Sequence, residues 1–201
     1  MPTESDKIEL NEHELREIAG YAARCARRAL PIFEQSLPAD PRPRDAVEAA
    51  EAFAGGGRRT GALRQSAWAA YRAAQEAASP DPAASAAAAD AARAASHAAA
   101  SAYLHPLANA HQVKHVLGAA AHAARAEELA AGHSAVEAGR SGTMADPAAV
   151  RSPTAGAGTL EWACHHAPPA VTAVLGRLPS APPGGGRVGE LMRDLDAALR
   201  A

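Results

Sequence analysis

SAYLHPLANAHQVKHVLGAAAHAAR, residues 101–125, is the stretch whose pattern decides the fold. His111, His115, Gly118 and His122 recur at i, i+4, i+7 and i+11, which is one stripe of a helix. Val113, Val116 and Leu117 place branched apolar residues beside that stripe. Gly118 and the following Ala119, Ala120 and Ala121 carry almost no side chain, so another helix can approach that surface closely. With His97 just upstream, His105, His111, His115 and His122 make five of the nine histidines in the chain. The spacing predicts a central helix running to about residue 131, separated from the preceding helix by Pro106.

Composition extends this reading outward. The chain has 201 residues, enough for one domain with a real core. Alanine exceeds a quarter of it, while aromatic residues make up 3%. Burying a Leu or Phe side chain stabilises by roughly 1.5–3 kcal/mol, against well under ~1 kcal/mol for an alanine methyl. Stability is therefore expected to rest on the few large residues, among them Ile18, Phe33, Phe53, Trp68, Tyr71, Leu117 and Leu195. Alanine contributes instead through helix propensity and close helix spacing. The expected fold is all-α: a single Ala-rich multi-helix bundle with closely packed helices.

The start and stop signals divide the chain. Residues 1–9 are expected to be flexible. Residues 10–131 form the bundle core, opening at Asn11 as N-cap with Glu14 as its capping-box partner and Leu10 and Leu15 as a hydrophobic staple. Pro43 suits the first turn of a second helix ended by Gly55, Gly56 and Gly57, and Thr60 can cap a third. Ser79-Pro80-Asp81-Pro82 breaks the chain before an alanine-rich fourth helix. Residues 132–158 read as a low-complexity linker, dominated by Gly, Ser, Pro and Ala and without an apolar period. Residues 159–201 are expected to form C-terminal helices that pack on the same domain, the last with Leu191, Leu195 and Ala198 on one face.

Charge and cysteine usage exclude several function classes. The formal net charge of −2 argues against a general nucleic-acid binder, which carries a basic excess. Cys25 and Cys164 lie far apart without a CxxC, so neither a zinc site nor a disulfide framework is indicated. The polar, acidic N-terminus does not resemble a signal peptide, and no strongly apolar run of about 18 residues is present to span a membrane. A cytoplasmic protein without a cofactor is expected.

Candidate sites are few. His111 and His115 at i, i+4 can share a metal ion, but a third ligand is needed, and His122 lies roughly 16 Å from His111 along a straight helix. No HExxH pattern occurs, so no metal is assigned, and the histidines read as structural or partner contacts. Arg42 and Arg44, beside Asp40, Asp45 and Glu48, form a charged corner between helices. Arg42, Arg44, Glu48, His111 and His115 are thus the candidate binding residues, and no catalytic residue is assigned. Ser66, Ser96 and Ser101 lack the strand-to-helix elbow of a serine nucleophile. Cys25 lies on an apolar helix face as a small buried residue. Glu127-Glu128 and Glu48-Glu51 read as solvated faces.

An ordered set of short motifs adds to this. Arg42-Pro43-Arg44, Ala46-Val47-Glu48 and Phe53 are followed by an Ala-rich middle. Then come His111, His115, Gly118, Ala119 and Ala120, with Trp162-Ala163 and Pro168-Pro169-Ala170-Val171 further on. Over residues 10–131 and 160–178 the chain resembles small all-α immunity proteins of bacterial polymorphic toxin systems. Two departures stand out: the 132–158 connection is longer, and His122 stands where such proteins often have tyrosine. The resemblance implies a non-catalytic binding protein that neutralises a cognate toxin by covering its active surface, and it brings no catalytic residues with it. Two other classes compete: a metal- or small-ligand-dependent helical enzyme using His111 and His115, and a self-associating helical scaffold. Some similar sequences carry the label of a DNA-repair exonuclease subunit, but this chain has no P-loop, signature motif or CxxC hook.

Overall fold

The computed structural model describes residues 7–78, 81–140 and 155–201, side chains of 135–140 and 155 excepted. These residues form an all-α bundle: α1 Glu12–Ser36, α2 Arg42–Ala54, α3 Gly61–Glu76, α4 Pro82–Ser101, α5 Val113–Arg140, α6 Ala155–His165, α7 Pro169–Gly176 and α8 Gly186–Arg200. A 3₁₀ turn, Ala110–Gln112, leads into α5.

The helix starts follow the chemistry of the first turn. Asn11 accepts from the Glu14 N–H at 2.9 Å while Glu14 accepts from the Asn11 N–H at 2.9 Å, closing the capping box. Thr60 Oγ1 accepts from the Leu63 N–H, and Asp81 Oδ1 accepts from the N–H groups of Ala83 and Ala84. Pro43, Pro82 and Pro169 stand in the first turns of their helices, where a missing N–H costs nothing. Pro31 does not end α1, which continues to Ser36.

α4 lies in the middle, packed against α1, α2, α3 and α5. Ala87, Ala88, Ala91, Ala92, Ala94, Ala95, Ala98 and Ala99 are all buried, so α4 meets its neighbours with methyl groups. The larger side chains come from around it: Tyr21 and Phe33 of α1, Phe53 of α2 and Leu117 of α5, each fully buried. α6 and α8 pack on α5, and α7 on α1 and α8. At Gly118 the His97 side chain of α4 lies close against α5, since a Cβ there would stand 2.8 Å from the His97 Nδ1. Gly156 does the same for α6, because a Cβ there would lie 2.7 Å from the Ala124 carbonyl oxygen.

Several expectations need correction. α5 begins at Val113, so His111, expected on the helix's histidine stripe, lies ahead of it in the 3₁₀ turn, where the Asn109 side chain accepts its N–H at 2.8 Å. α5 runs to Arg140 rather than 131, because Gly132 is tolerated within a helix whose His133 side chain pairs with Asp81 at 3.2 Å. The expected linker is therefore helical at 132–140 and from residue 155, and its centre, 141–154, lies outside the described residues. Residues 1–6 of the expected flexible N-terminus also lie outside them, while the Ile8 N–H donates to the Pro106 carbonyl at 3.2 Å. In α8, Ala198 is exposed and the buried partner of Leu191 and Leu195 is Asp196, which accepts from the Ala181 N–H at 2.9 Å and from Arg200 Nε at 2.8 Å.

The distribution of large residues differs most. Trp68 and Tyr71, expected to stabilise the core, are 57% and 39% exposed. Tyr21 and Leu30 replace them inside. α3 buries Leu63, Ala67, Ala70, Ala73 and Ala74 instead, and Trp68 and Tyr71 fall on the far side of the helix.

Candidate functional site

The charged corner is built where α1, α2 and α3 meet. Asp40 sits in the turn before α2, and its carboxylate receives Arg42 Nε at 2.9 Å and Nη2 at 2.6 Å. The Arg42 Nη1 reaches Glu76, at the end of α3, at 2.8 Å. The Arg42 guanidinium beside it holds the Asp40 carboxyl below its ordinary range. Arg44 pairs with Glu34 of α1 at 2.5 Å. Both arginines thus tie helices together, while Glu48 is exposed and forms no ion pair among the described residues.

The histidines divide into two groups. His111 is exposed and lines, with Lys114 and Met192, an open cleft of 260 Å³ between the start of α5 and α8. His115 is half-buried on α5, and its Nδ1 is enclosed without a hydrogen-bond partner. Burial pushes its pKa down, and neighbouring Lys114 and His105 add to the effect. The structure brings a different pair together. His97 of α4 stacks on His122 of α5 with ring centroids 5.1 Å apart. His122 Nδ1 lies 2.7 Å from Asp90 Oδ1, so Asp90 is a buried carboxylate with a partner across the α4–α5 contact. Burial pushes the His97 pKa down to about 3, and facing His122, His115 and Lys114, with Arg93 of its own helix, act in the same direction. Sequence spacing marked both helices but could not show that His97 faces His122. Among the described residues, no group of three or more His, Cys, Asp or Glu side chains is placed to hold a metal ion.

The candidate nucleophiles are occupied. Ser66, Ser96 and Ser101 donate to the carbonyls of Leu63, Ala67 and Ala98 at 2.9, 2.9 and 2.7 Å. Cys25 is fully buried beside Tyr21, and that burial pushes its thiol up to about 12. The Glu127-Glu128 pair is a correction: it is a clasp rather than a solvated face. Glu128 receives Arg187 of α8 at 2.5 Å and Arg125 at 3.1 Å, and Arg187 in particular holds its carboxyl below the usual range. Glu127 accepts from Thr159 of α6. Glu51 likewise receives Arg27 of α1 twice at 2.6 Å.

A surface missed by the sequence reading lies along α3. Arg64, Trp68, Tyr71 and Gln75 fall at i, i+4, i+7 and i+11 and are exposed. Trp68 and Tyr71 meet edge to face with centroids 5.8 Å apart. The spacing carries the signal, since this stripe lies away from Leu63, Ala67, Ala70 and Ala74, but large aromatic residues in so alanine-rich a chain read as core.

Among known families, the Imm-5 like putative immunity protein model matches residues 7–146. The chain belongs to this family. The match spans α1 to α5, so the charged corner, the histidine pair and the outer face of α3 all lie within it. No curated protein and no solved structure matches the chain. No helix among the described residues is long and apolar enough to cross a membrane.

Proposed function

We propose that this member of the immunity family is a non-catalytic binding protein that neutralises a cognate toxin in the cytoplasm by covering the toxin's active surface. The observation that carries this is the family match over residues 7–146. The interior supports it: the serine hydroxyls are spent on backbone carbonyls and Cys25 is buried with a raised pKa. Occlusion needs a rigid surface with a few buried anchors and complementary charge. The bundle supplies rigidity, because α4 is enclosed on several sides and the ion pairs Arg27–Glu51, Arg44–Glu34 and Arg187–Glu128 join one helix to another. The exposed members of the charged corner and of the α5 entrance, Glu48 and His111, are available contacts.

The test is co-expression with the toxin domain that copurifies with the tagged chain from its native lysate. Growth restored in proportion to a stoichiometric complex supports neutralisation by binding. Growth that stays arrested while the purified chain carries stoichiometric metal, lost in a His111→Ala/His115→Ala double variant, would transfer the function to those histidines.

A further inference from the structure

We infer that the outer face of α3 is the docking surface for the toxin and that it receives an acidic patch on that partner. This rests on the immunity reading above and names the surface through which it would act.

Two independent features coincide on this face. The first is apolar. Among the described residues, Trp68 and Tyr71 are the exposed large hydrophobic side chains, and they stand together. Large aromatic residues are scarce in this chain, at 3%, and alanine is the commonest residue of the core. An exposed Trp–Tyr pair adds nothing to folding that burial would not improve, whereas Trp, Tyr and Arg dominate the residues that anchor protein interfaces. The second feature is charge. Arg58, Arg59, Arg64 and Arg72 are exposed along the same helix and its entry, and none forms an ion pair among the described residues. The single carboxylate of α3, Glu76, is turned to Arg42 at 2.8 Å. Most of the other described arginines are paired: Arg16, Arg27, Arg28, Arg42, Arg44, Arg93, Arg125, Arg177, Arg187 and Arg200 each meet a carboxylate, while Arg24 and Arg193 donate to backbone carbonyls.

The shape at one end of the stripe fits the same partner. Arg59 and Arg64 border an open cavity of 480 Å³ with Tyr103 and His105. Arg64 lies over the Tyr103 ring at 4.5 Å and Arg59 at 5.8 Å from its centroid, which fixes both guanidinium groups at the rim. Arg59 also donates to the Ala102 carbonyl at 3.2 Å. A carboxylate side chain entering the cavity would meet two held guanidinium groups, while Trp68 and Tyr71 press against the apolar surface beside it. Basic residues with neighbouring aromatics also suit nucleic acid, but the chain as a whole carries a net charge of −2, which repels a polyanion outside this one face.

The experiment titrates the full chain with the toxin domain that it rescues. Wild type is compared with Trp68→Ala, with Arg64→Glu/Arg72→Glu, and with Asp194→Lys at an exposed position of α8, each checked by its melting curve. Trp68→Ala is expected to weaken binding about tenfold or more. Arg64→Glu/Arg72→Glu is expected to weaken it similarly and to flatten its dependence on salt. Asp194→Lys should bind like wild type. If both α3 variants bind like wild type, the docking surface is overturned and the immunity reading stands. If wild type neither binds nor rescues, both fall together. Binding of a single-stranded DNA 20-mer by wild type, lost in Arg64→Glu/Arg72→Glu while toxin binding is kept, would overturn the acidic protein partner in favour of nucleic acid.

Discussion

α3 and α4 follow one another in sequence, are both rich in alanine, and end in opposite surroundings. α4 has no residue larger than its few polar ones, yet it is packed against α1, α2, α3 and α5. α3 owns a tryptophan and a tyrosine and turns both to solvent. The contrast teaches that in this chain size does not mark the core. A helix of methyl groups can sit at the centre because its neighbours approach closely and three of them bring the bulk: Phe33 and Tyr21 from α1, Phe53 from α2, Leu117 from α5. The aromatic pair on α3 is then free to serve another purpose.

The largest effect should come from adding bulk to the enclosed helix. Ala98 is fully buried in α4, and Ala98→Leu forces side chains into a filled space. A loss of about 3 kcal/mol is expected, at the upper end of overpacking costs. Thermal unfolding would show it as a fall of several degrees, at roughly 2–4 °C per kcal/mol for a chain of this length. An unchanged melting temperature would mean that α4 is less tightly enclosed than its alanines imply.

Gly118→Ala tests the same contact from α5. Alanine should gain about 1 kcal/mol of helix propensity. Its Cβ would stand 2.8 Å from the His97 ring, so a net loss of about 1–2 kcal/mol is expected. A double-mutant cycle with His97→Ala should recover most of it, because the two changes share one contact.

The histidine pair makes the interior sensitive to acid. The folded His97 pKa of about 3 lies below its ordinary value of 6.5, so the unfolded chain binds the proton more readily. Its contribution is whole above about pH 6.5 and is lost as the pH falls from there toward 3. Denaturant midpoints measured between pH 7 and pH 4 should fall more steeply in wild type than in His97→Leu. Parallel curves would show that His97 is not held neutral by the α4–α5 contact.

At the helix start, Asn11→Ala should cost about 1 kcal/mol by opening the capping box. The smallest effect belongs to the exposed helix: Trp68→Ala should change folding stability by no more than about 0.5 kcal/mol, in contrast to its expected effect on binding. A large loss of stability there would place Trp68 in the fold rather than at an interface.

Local chemistry was legible without coordinates. Asn11 with Glu14, Thr60, Asp81 with Pro82, and Gly55 mark helix ends by hydrogen bonds or dihedral limits that reach no more than a few residues. Helix periodicity made the all-α class plain, and the small side chain of Gly118 announced a close approach. The charged corner was legible in part, since Asp40 and Arg42 are neighbours, but Glu34 and Glu76 come from other helices. The Glu128 clasp was not, because Arg187 lies 59 residues away.

The sequence by itself determined where helices begin and which residues share a face, because those follow from a period of 3.6 and from capping groups within one turn. The tertiary structure alone decided which faces are buried. An alanine-rich helix presents methyl groups on every side, so periodicity does not distinguish its inner face, and the choice rests on how neighbouring helices stack around it. That packing enclosed α4, set His97 against His122, and left Arg64, Trp68 and Tyr71 facing solvent.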